Sequence, residues 1–216
     1  KFSSRGIAEA GERSTIKPLA DGETDVAVSV DDCTTSMSLN VTNQKSKEPV
    51  SFYYEALPAL SKAGCAAGGC HGAPHGKGEF RLSLWGFDPV SDQHTIINEE
   101  FGRRVNLIEP EKSLLLAKPR NGVAHEGGLR LRDSDIEHEV LVNWIKSGCH
   151  VEEKPPRCTG IRLTPGEDLV LKRPHHTQQF RVEAMFDDGS CKDITHLASY
   201  ESSDEKICRV SRHGLA

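Results

Sequence analysis

Apolar and polar residues alternate with a period of two along the first part of the chain, residues 1–48. The alternating apolar positions are Val26, Val28, Val30, Met37, Leu39 and Val41. This period is typical of strands with one buried face, and Asp21-Gly22 is a typical turn between strands. The pattern predicts β structure for this part. A polar linker, "NQKSKEP", follows and ends at Pro49.

The central part, residues 49–154, has apolar residues at the spacing typical of helices, and Pro and Gly residues that mark where short helices begin and end. "ALPALSKAG" predicts one helix, with Pro58 in its first turn and Gly64 at its end. Asp88-Pro89 predicts the start of a second helix that continues to about Asn98, and "PEKSLLLAK" predicts a further short helical segment before Pro119.

The strongest helical pattern of the chain is "DSDIEHEVLVNWIKSG", near the end of the central part. Ser134 and Glu137 have the spacing of a capping box, and Gly148 predicts the end of the helix. The apolar residues expected on one face of this helix are Ile136, Val140, Leu141, Trp144 and Ile145.

The last part, residues 155–216, returns to β character. "GIRLTPG", "TQQFRVEAMFDDGSCKDIT" and "KICRVSRHGLA" predict strands, with a turn at Asp188-Gly189.

Composition and charge limit the classes of protein that this chain can represent. Of 216 residues, 36% are hydrophobic and 6% aromatic, with 19 Gly and 11 Pro, which favours small loop-rich domains over one large core. The net charge of −5 argues against a nucleic-acid partner, because proteins that bind phosphate backbones usually carry excess positive charge. No apolar run approaches the roughly 20 residues of a membrane span. The chain begins neither with Met nor with a signal peptide, so we interpret it as a piece of a longer protein.

The chemistry of the central part is concentrated in "GCAAGGCHG", residues 64–72. Cys65, Cys70 and His71 match the end of the attachment motif of c-type haem, but four residues instead of the usual two separate the cysteines. Four small spacer residues, two of them glycines, can store the extra backbone in a bulge. Two other interpretations remain: a zinc site with His75 as a further ligand, and a disulfide between the two cysteines.

The other five cysteines leave their own alternatives open. Seven cysteines are many for a reducing compartment. Cys191 with Cys208, and Cys149 with Cys158, are the first pairs to test as disulfides. The alternative is that the five act as small buried apolar residues.

Several separated motifs of the central part resemble one known family. "PVSFYYEALPALSKAGCAAGGCHGAPHGKGEFRLSLWGFDP", "GRRVNLIEPEKSLLLAKP" and "HEGG" are similar, in this order, to the planctomycete-type cytochrome c domain, in which the cysteines have this long spacing. The resemblance implies haem c attached through Cys65 and Cys70, with His71 as the proximal iron ligand. It covers about half of the chain.

Both flanks resemble bacterial immunoglobulin-like domains of group 2, which often adjoin that family. "RLTPGE", "QFRVEAMFDDGSCKDIT" and "YESSDEKICRVSRHGLA" resemble the start of such a domain, and "SRGIAEAGERSTIKPLADGETDVAVSV" resembles its later part. We therefore expect a multidomain α and β chain. Residues 1–48 and 155–216 would be incomplete β-sandwich segments on either side of a small all-α cytochrome c-like domain, residues 49–154. Pairing of the two segments, within one chain or between chains, could complete one sandwich.

The second axial ligand is predicted to be His125. The two methionines, Met37 and Met185, lie in the β flanks, whereas His125 lies in the glycine-rich loop before the last helix. Two histidine ligands would give a lower reduction potential than a methionine–histidine pair. The competing histidines are His75, His94, His138, His150, His175 and His176.

Further residues are expected around the haem. Arg103 and Arg104 are candidates for pairing with the haem propionates, because guanidinium matches carboxylate in a bidentate geometry; a solvated basic pair is the alternative. The aromatic residues expected to form the apolar wall of the pocket are Trp85, Phe87, Phe101 and Trp144.

These features predict a cytochrome c module that transfers single electrons within a larger extracytoplasmic protein. A haem with two protein ligands has no open position for substrate. Two alternatives remain: a haem enzyme or small-ligand sensor with an open sixth position, and a structural or adhesion module in which haem only stabilises the fold. The sequence does not identify the redox partner protein.

Overall fold

The computed structural model describes residues 2–11, 16–44, 49–166, 169–172 and 177–216. The chain divides into two compact units, Lys1–Glu48 and Pro49–Ala216. Most of the predicted linker "NQKSKEP" lies outside the described residues.

The first unit is built from antiparallel strand pairs. Strand β1 (Ala8–Ala10) pairs with β2 (Ile16–Pro18), and β3 (Gly22–Val30) forms a hairpin with β4 (Cys33–Val41). Of the alternating apolar positions, only Val26 and Val41 are buried, whereas Val28, Val30 and Met37 are exposed. The period therefore predicted the strands correctly but not their burial, because the two-stranded hairpin is covered only near the end where β3 starts.

The helices of the second unit follow the predicted signals. Residues Phe52–Ala56 form a π-helical turn that continues directly into α1 (Leu57–Lys62); α2 (Pro89–Ile97) begins after the N-cap Asp88, and α3 (Leu114–Ala117) follows a 3₁₀ turn. The longest helix is α4 (Ile136–Lys146). These elements enclose one apolar core, whose largest buried side chains are Trp144, Phe52, Leu60, Leu82, Ile96, Leu116, Leu131, Leu141 and Ile145.

The predicted capping box at the start of α4 is wrong. The N-cap is Asp135, one residue later than expected, and no side chain caps the helix. Glu137 is fully buried and instead accepts a hydrogen bond from Arg212 Nη2 at 2.7 Å. A long-range ion pair has displaced the local contact that the spacing suggested.

The C-terminal β structure packs against the helices within the second unit. Strands β5 (Cys158–Thr164), β6 (Arg181–Phe186) and β7 (Cys191–Asp193) form an antiparallel sheet in this order. The Tyr54 ring packs edge-on against Phe186 with centroids 4.7 Å apart, and Lys192 Nζ lies 2.7 Å from Glu55 Oε2.

The turn predicted at Asp188-Gly189 joins β6 to β7, and Gly189 has the positive φ of 83° that this turn requires. The strand predicted for "KICRVSRHGLA" is wrong over most of its length. Only its last residues pair, Leu215 with Gln179 as an isolated bridge, because a turn near Asp204 and a second turn at Ser211–Gly214 interrupt the segment.

Each sheet takes its strands from one unit. The completion of a sandwich by pairing of the two terminal segments stays a prediction. In the part of the chain that the structure describes, no helix is both long and apolar enough to cross a membrane.

Candidate functional site

One cavity of the second unit gathers most of the residues that the sequence singles out. Its volume is about 280 Å³, near the lower limit of typical ligand pockets, roughly 300–1,000 Å³. It lies between the loop after α1, the segment around Phe80, the α3 region and the loop before α4. The predicted site residues that line it are Cys65, Cys70, His71, Arg103, Arg104 and His125.

The loop that carries both cysteines is ordered by its own backbone. The Cys65 N–H donates to Leu60 O at the end of α1, and the His71 N–H donates to Cys65 O, both at 3.0 Å. A Cβ on Gly72 would lie 2.2 Å from Ala66 O, so only glycine fits after the histidine. The four spacer residues thus fold back on themselves and bring Cys65, Cys70 and His71 to the same cavity.

The His71 imidazole is held through one nitrogen. Its Nδ1 lies 2.9 Å from Phe80 O and 3.1 Å from Lys77 O. Because carbonyl oxygens only accept, Nδ1 carries the proton, and the neutral ring keeps a lone pair on Nε2. Burial is the largest influence on this ring and lowers the pKa of His71, which favours that neutral form.

The His125 imidazole, which lines the same cavity, is held in the same way. Its Nδ1 donates to Gly128 O at 2.9 Å, and in the neutral ring this hydrogen bond leaves Nε2 with a lone pair. The ring lies so close to Gly127 that a Cβ there would come within 2.8 Å of its Cε1 atom. Glycine is required at this position to make room for the imidazole.

The two imidazoles form a matched pair. Their ring centroids are 6.3 Å apart, and their planes are within 19° of parallel. Neither Nε2 atom hydrogen-bonds to any described residue. Each ring therefore offers Nε2 as a free metal-binding nitrogen. A hydrogen bond from Nδ1 to a backbone carbonyl fixes the tautomer, as is usual for histidines that bind metals.

The two cysteines of the cavity are free thiols. Burial, with a smaller contribution from Cys70, raises the pKa of the Cys65 thiol to about 12, so Cys65 is protonated at neutral pH. The structure forms no Cys65–Cys70 disulfide. Among the described residues, no three His, Cys, Asp or Glu side chains are grouped so that they could hold a metal ion.

The five remaining cysteines are also free, so neither of the two predicted disulfides is formed. The alternative of five buried apolar residues holds only for Cys149. Cys33, Cys158 and Cys191 are exposed, and Cys208 is half-buried.

The cavity is positively charged although the chain is acidic. Four cationic side chains line it, Lys77, Arg103, Arg104 and Lys118, against one acidic side chain, Glu126. Lys77, Arg103 and Lys118 are exposed, and their side chains make no ion pair or hydrogen bond to the described residues. The sequence analysis singled out neither lysine, since they lie far apart along the chain and only tertiary packing brings them to one cavity. This arrangement suits a ligand that carries carboxylates.

Arg104 differs from its neighbour Arg103 because its guanidinium is already engaged. Arg104 is 6% exposed, and Nη1 donates to Thr95 O at 2.7 Å while Nη2 donates to Glu79 O at 3.3 Å. The same group lies over the Phe80 ring, 4.7 Å from its centroid. Of the two predicted propionate partners, only Arg103 has a guanidinium without a partner among the described residues.

The aromatic residues of the cavity differ from those predicted. Phe80 lines it, and its ring packs against His71 with centroids 4.6 Å apart. Trp144 is fully buried in the core against Phe52, with ring centroids 5.3 Å apart, because its indole N–H finds a partner there in His150 O. Three predicted wall residues point to solvent instead, being exposed by 61%, 91% and 106%: Trp85, Phe87 and Phe101.

The competing histidines lie elsewhere. His75, His94 and His150 are exposed and do not line the cavity. His138 is buried, and its Nε2 lies 3.1 Å from Glu111 Oε2. His175 and His176 lie outside the described residues.

Comparison of the chain with protein-family models, with curated proteins and with solved structures found no match.

Proposed function

We propose that the chain is a cytochrome c module that binds one haem covalently through Cys65 and Cys70 and transfers single electrons. His71 and His125 would be the two axial ligands. The observation that carries the proposal is the pair of nearly parallel imidazoles, with centroids 6.3 Å apart, in the cavity that both thiols line.

The separation of the two rings suits one metal ion between them. A metal–imidazole bond is about 2 Å long, and about 1 Å separates a ring nitrogen from its ring centre. When both Nε2 atoms point along one line through the metal, the centroids lie about 6 Å apart, and the distance found is 6.3 Å. The fixed Nδ1–H tautomers leave Nε2 as the ligand atom on each side.

The thiols and the cations account for the rest of the cavity. Cys65 and Cys70 line the same wall as His71, as two thioether bonds next to an axial histidine require. Arg103, Lys77 and Lys118 would pair with the propionates, because the described part of the chain offers these three cations no partner. This assignment refines the sequence-based one, in which Arg104 shared that role.

When bound, haem supplies a one-electron iron couple whose potential depends on its ligands and its burial. His71 and His125 would hold both axial positions, which favours electron transfer over an enzyme or sensor with an open site. The hydrogen bonds from Nδ1 to backbone carbonyls make both imidazoles stronger ligands and help to keep the potential low. Attachment of haem to thiols takes place outside the cytoplasmic membrane, so the proposal includes an extracytoplasmic location.

The proposal is tested by expressing the chain in a host that attaches c-type haem. The purified protein should show a low-spin haem spectrum, and its haem should remain with the polypeptide on a denaturing gel. Cys65→Ala combined with Cys70→Ala should abolish that covalent retention. Haem that is lost on denaturation of the unaltered chain would contradict the attachment.

The role of His125 is tested separately. His125→Ala should convert the spectrum to high-spin, and added imidazole should restore the low-spin form. His75→Ala is the matched control, an exposed histidine four residues from His71, and should leave the spectrum unchanged. A low-spin spectrum that survives in His125→Ala without imidazole would remove His125 from this role.

A further inference from the structure

The proximal histidine depends on a short turn for both of its orienting contacts. The turn Lys77–Phe80 presents the carbonyls of its first and last residues to His71 Nδ1. Its Phe80 ring also packs on the imidazole, with centroids 4.6 Å apart and planes at 48°. Any shift of this turn therefore changes a hydrogen bond and a packing contact of His71 together.

One backbone hydrogen bond closes the turn, from the Phe80 N–H to Lys77 O at 3.3 Å. Between Lys77 and Phe80, Glu79 has a φ of 59°, a left-handed conformation that is unfavourable for a residue with a side chain. Lys77, Gly78 and Glu79 are all exposed. A strained and exposed turn keeps one conformation only where neighbouring groups hold it.

Arg104 supplies that support. Its Nη2 donates to the carbonyl of the strained Glu79, and its guanidinium lies over the Phe80 ring, 4.7 Å from the centroid. Its Nη1 is anchored on Thr95 O in α2, and its own carbonyl accepts from the Leu115 N–H in α3. Arg104 therefore ties the turn to two helices of the core.

We propose that Arg104 is a positioning residue, which fixes the orientation of the His71 imidazole through Phe80 and the Lys77–Phe80 turn. The inference rests on the proposed function in one respect, namely that the His71 imidazole binds iron. The coupling from Arg104 to His71 is a property of the protein and can be measured without haem.

A lysine cannot take over this role. Arginine makes two hydrogen bonds in different directions and stacks its flat guanidinium on an aromatic ring, whereas lysine has a single ammonium group on a flexible stem. Arg104→Lys keeps the positive charge but removes the flat guanidinium with its two diverging hydrogen bonds. The substitution therefore separates a positioning role from a purely electrostatic one.

The first test uses the haem-free chain, with the Nδ1–H proton of His71 followed by NMR. Arg104→Lys should speed exchange of this proton about tenfold, the effect expected when a well-made hydrogen bond is lost. Arg103→Lys is the matched control and should leave exchange unchanged, because among the described residues no hydrogen bond or ion pair joins the Arg103 side chain to the turn. Ile96→Ala, which truncates a fully buried core residue of α2, controls for general destabilisation.

The second test uses the haem-loaded chain. Weaker hydrogen bonds from Nδ1 make His71 a poorer ligand for ferric iron, so Arg104→Lys should raise the midpoint potential and change the low-spin EPR signal. Phe80→Leu should shift the potential in the same direction. Because Arg104 acts through Phe80, the double variant should shift it no further than the stronger single variant.

The outcomes separate the two proposals. Unchanged exchange in Arg104→Lys, or an equal increase in Ile96→Ala, would overturn the positioning role whether or not haem binds. Faster exchange confined to Arg104→Lys in a chain that never acquires haem would support the coupling and contradict the cytochrome function. Additive effects of Arg104→Lys and Phe80→Leu on the potential would contradict the route through Phe80.

Discussion

Replacing Gly127 by alanine should displace the His125 imidazole without disturbing the backbone. Gly127 does not have a positive φ, so an alanine can adopt the same backbone conformation. Its Cβ would lie 2.8 Å from Cε1 and 3.2 Å from Nε2 of His125. Ordinary contacts begin at 3.4 Å, so the ring must move by several tenths of an ångström at the edge that bears its free nitrogen.

The size of the effect follows from that displacement. Turning a side chain away from its preferred rotamer costs about 0.5–1.5 kcal/mol. The movement also strains the 2.9 Å hydrogen bond from Nδ1 to Gly128 O. A loss of about 1 kcal/mol at the sixth ligand corresponds to roughly fivefold weaker binding of His125 to iron.

Binding of cyanide to the ferric protein measures this change, because cyanide must displace the sixth ligand. Gly127→Ala should bind cyanide about fivefold more tightly than the unaltered protein, as its own ligand competes less well. Gly69→Ala is the control, since an added Cβ there meets nothing within 4 Å and no positive φ is involved. Equal cyanide affinity in Gly127→Ala and the unaltered protein would refute the placement of His125 at the iron.

Two further predictions concern stability. Arg212→Met should lower the free energy of unfolding in urea by about 2–3 kcal/mol, because it leaves the buried Glu137 carboxylate unpaired. Loss of a fully buried pair would cost more, but 39% of the Arg212 side chain is exposed. A loss below about 0.5 kcal/mol, similar to that of the exposed control Arg209→Met, would contradict this. Burial raises the pKa of Asp92 above its usual 3.8, so the folded state binds this proton more tightly than the unfolded chain does. The free energy of unfolding of the unaltered protein, minus that of Asp92→Asn, should therefore fall as the pH rises from about 3.8 through the raised pKa. If urea unfolding shows that this quantity stays constant or increases with pH, the prediction is wrong.

Local signals in the sequence predicted the elements of this fold well. Pro58, Gly64, Asp88 and Gly189 act on the backbone within one turn of their own position, and each lies where it was expected. One of the failures comes from a contact between distant segments. Glu137 was assigned to a local cap, but its partner is Arg212, which lies 75 residues further along the chain.

The candidate site shows the same limit. Cys65, Cys70, His71 and His125 were found because motifs mark them, and the structure brings them to one cavity. Lys77, Lys118 and Phe80 were missed, since only tertiary packing brings them there. Phe87 and Trp144 were expected at the cavity because large aromatic residues usually form pocket walls, but a sequence does not show whether such a residue faces a pocket, the core or solvent.

The most direct test of the central claim is the intact mass of the denatured chain after maturation in a host that attaches c-type haem. Our account predicts a mass above that of the polypeptide by one haem, and loss of this increment when Cys65 and Cys70 are both replaced by alanine. A mass equal to that of the amino acids alone, from a host that matures a known c-type cytochrome in parallel, would contradict the account.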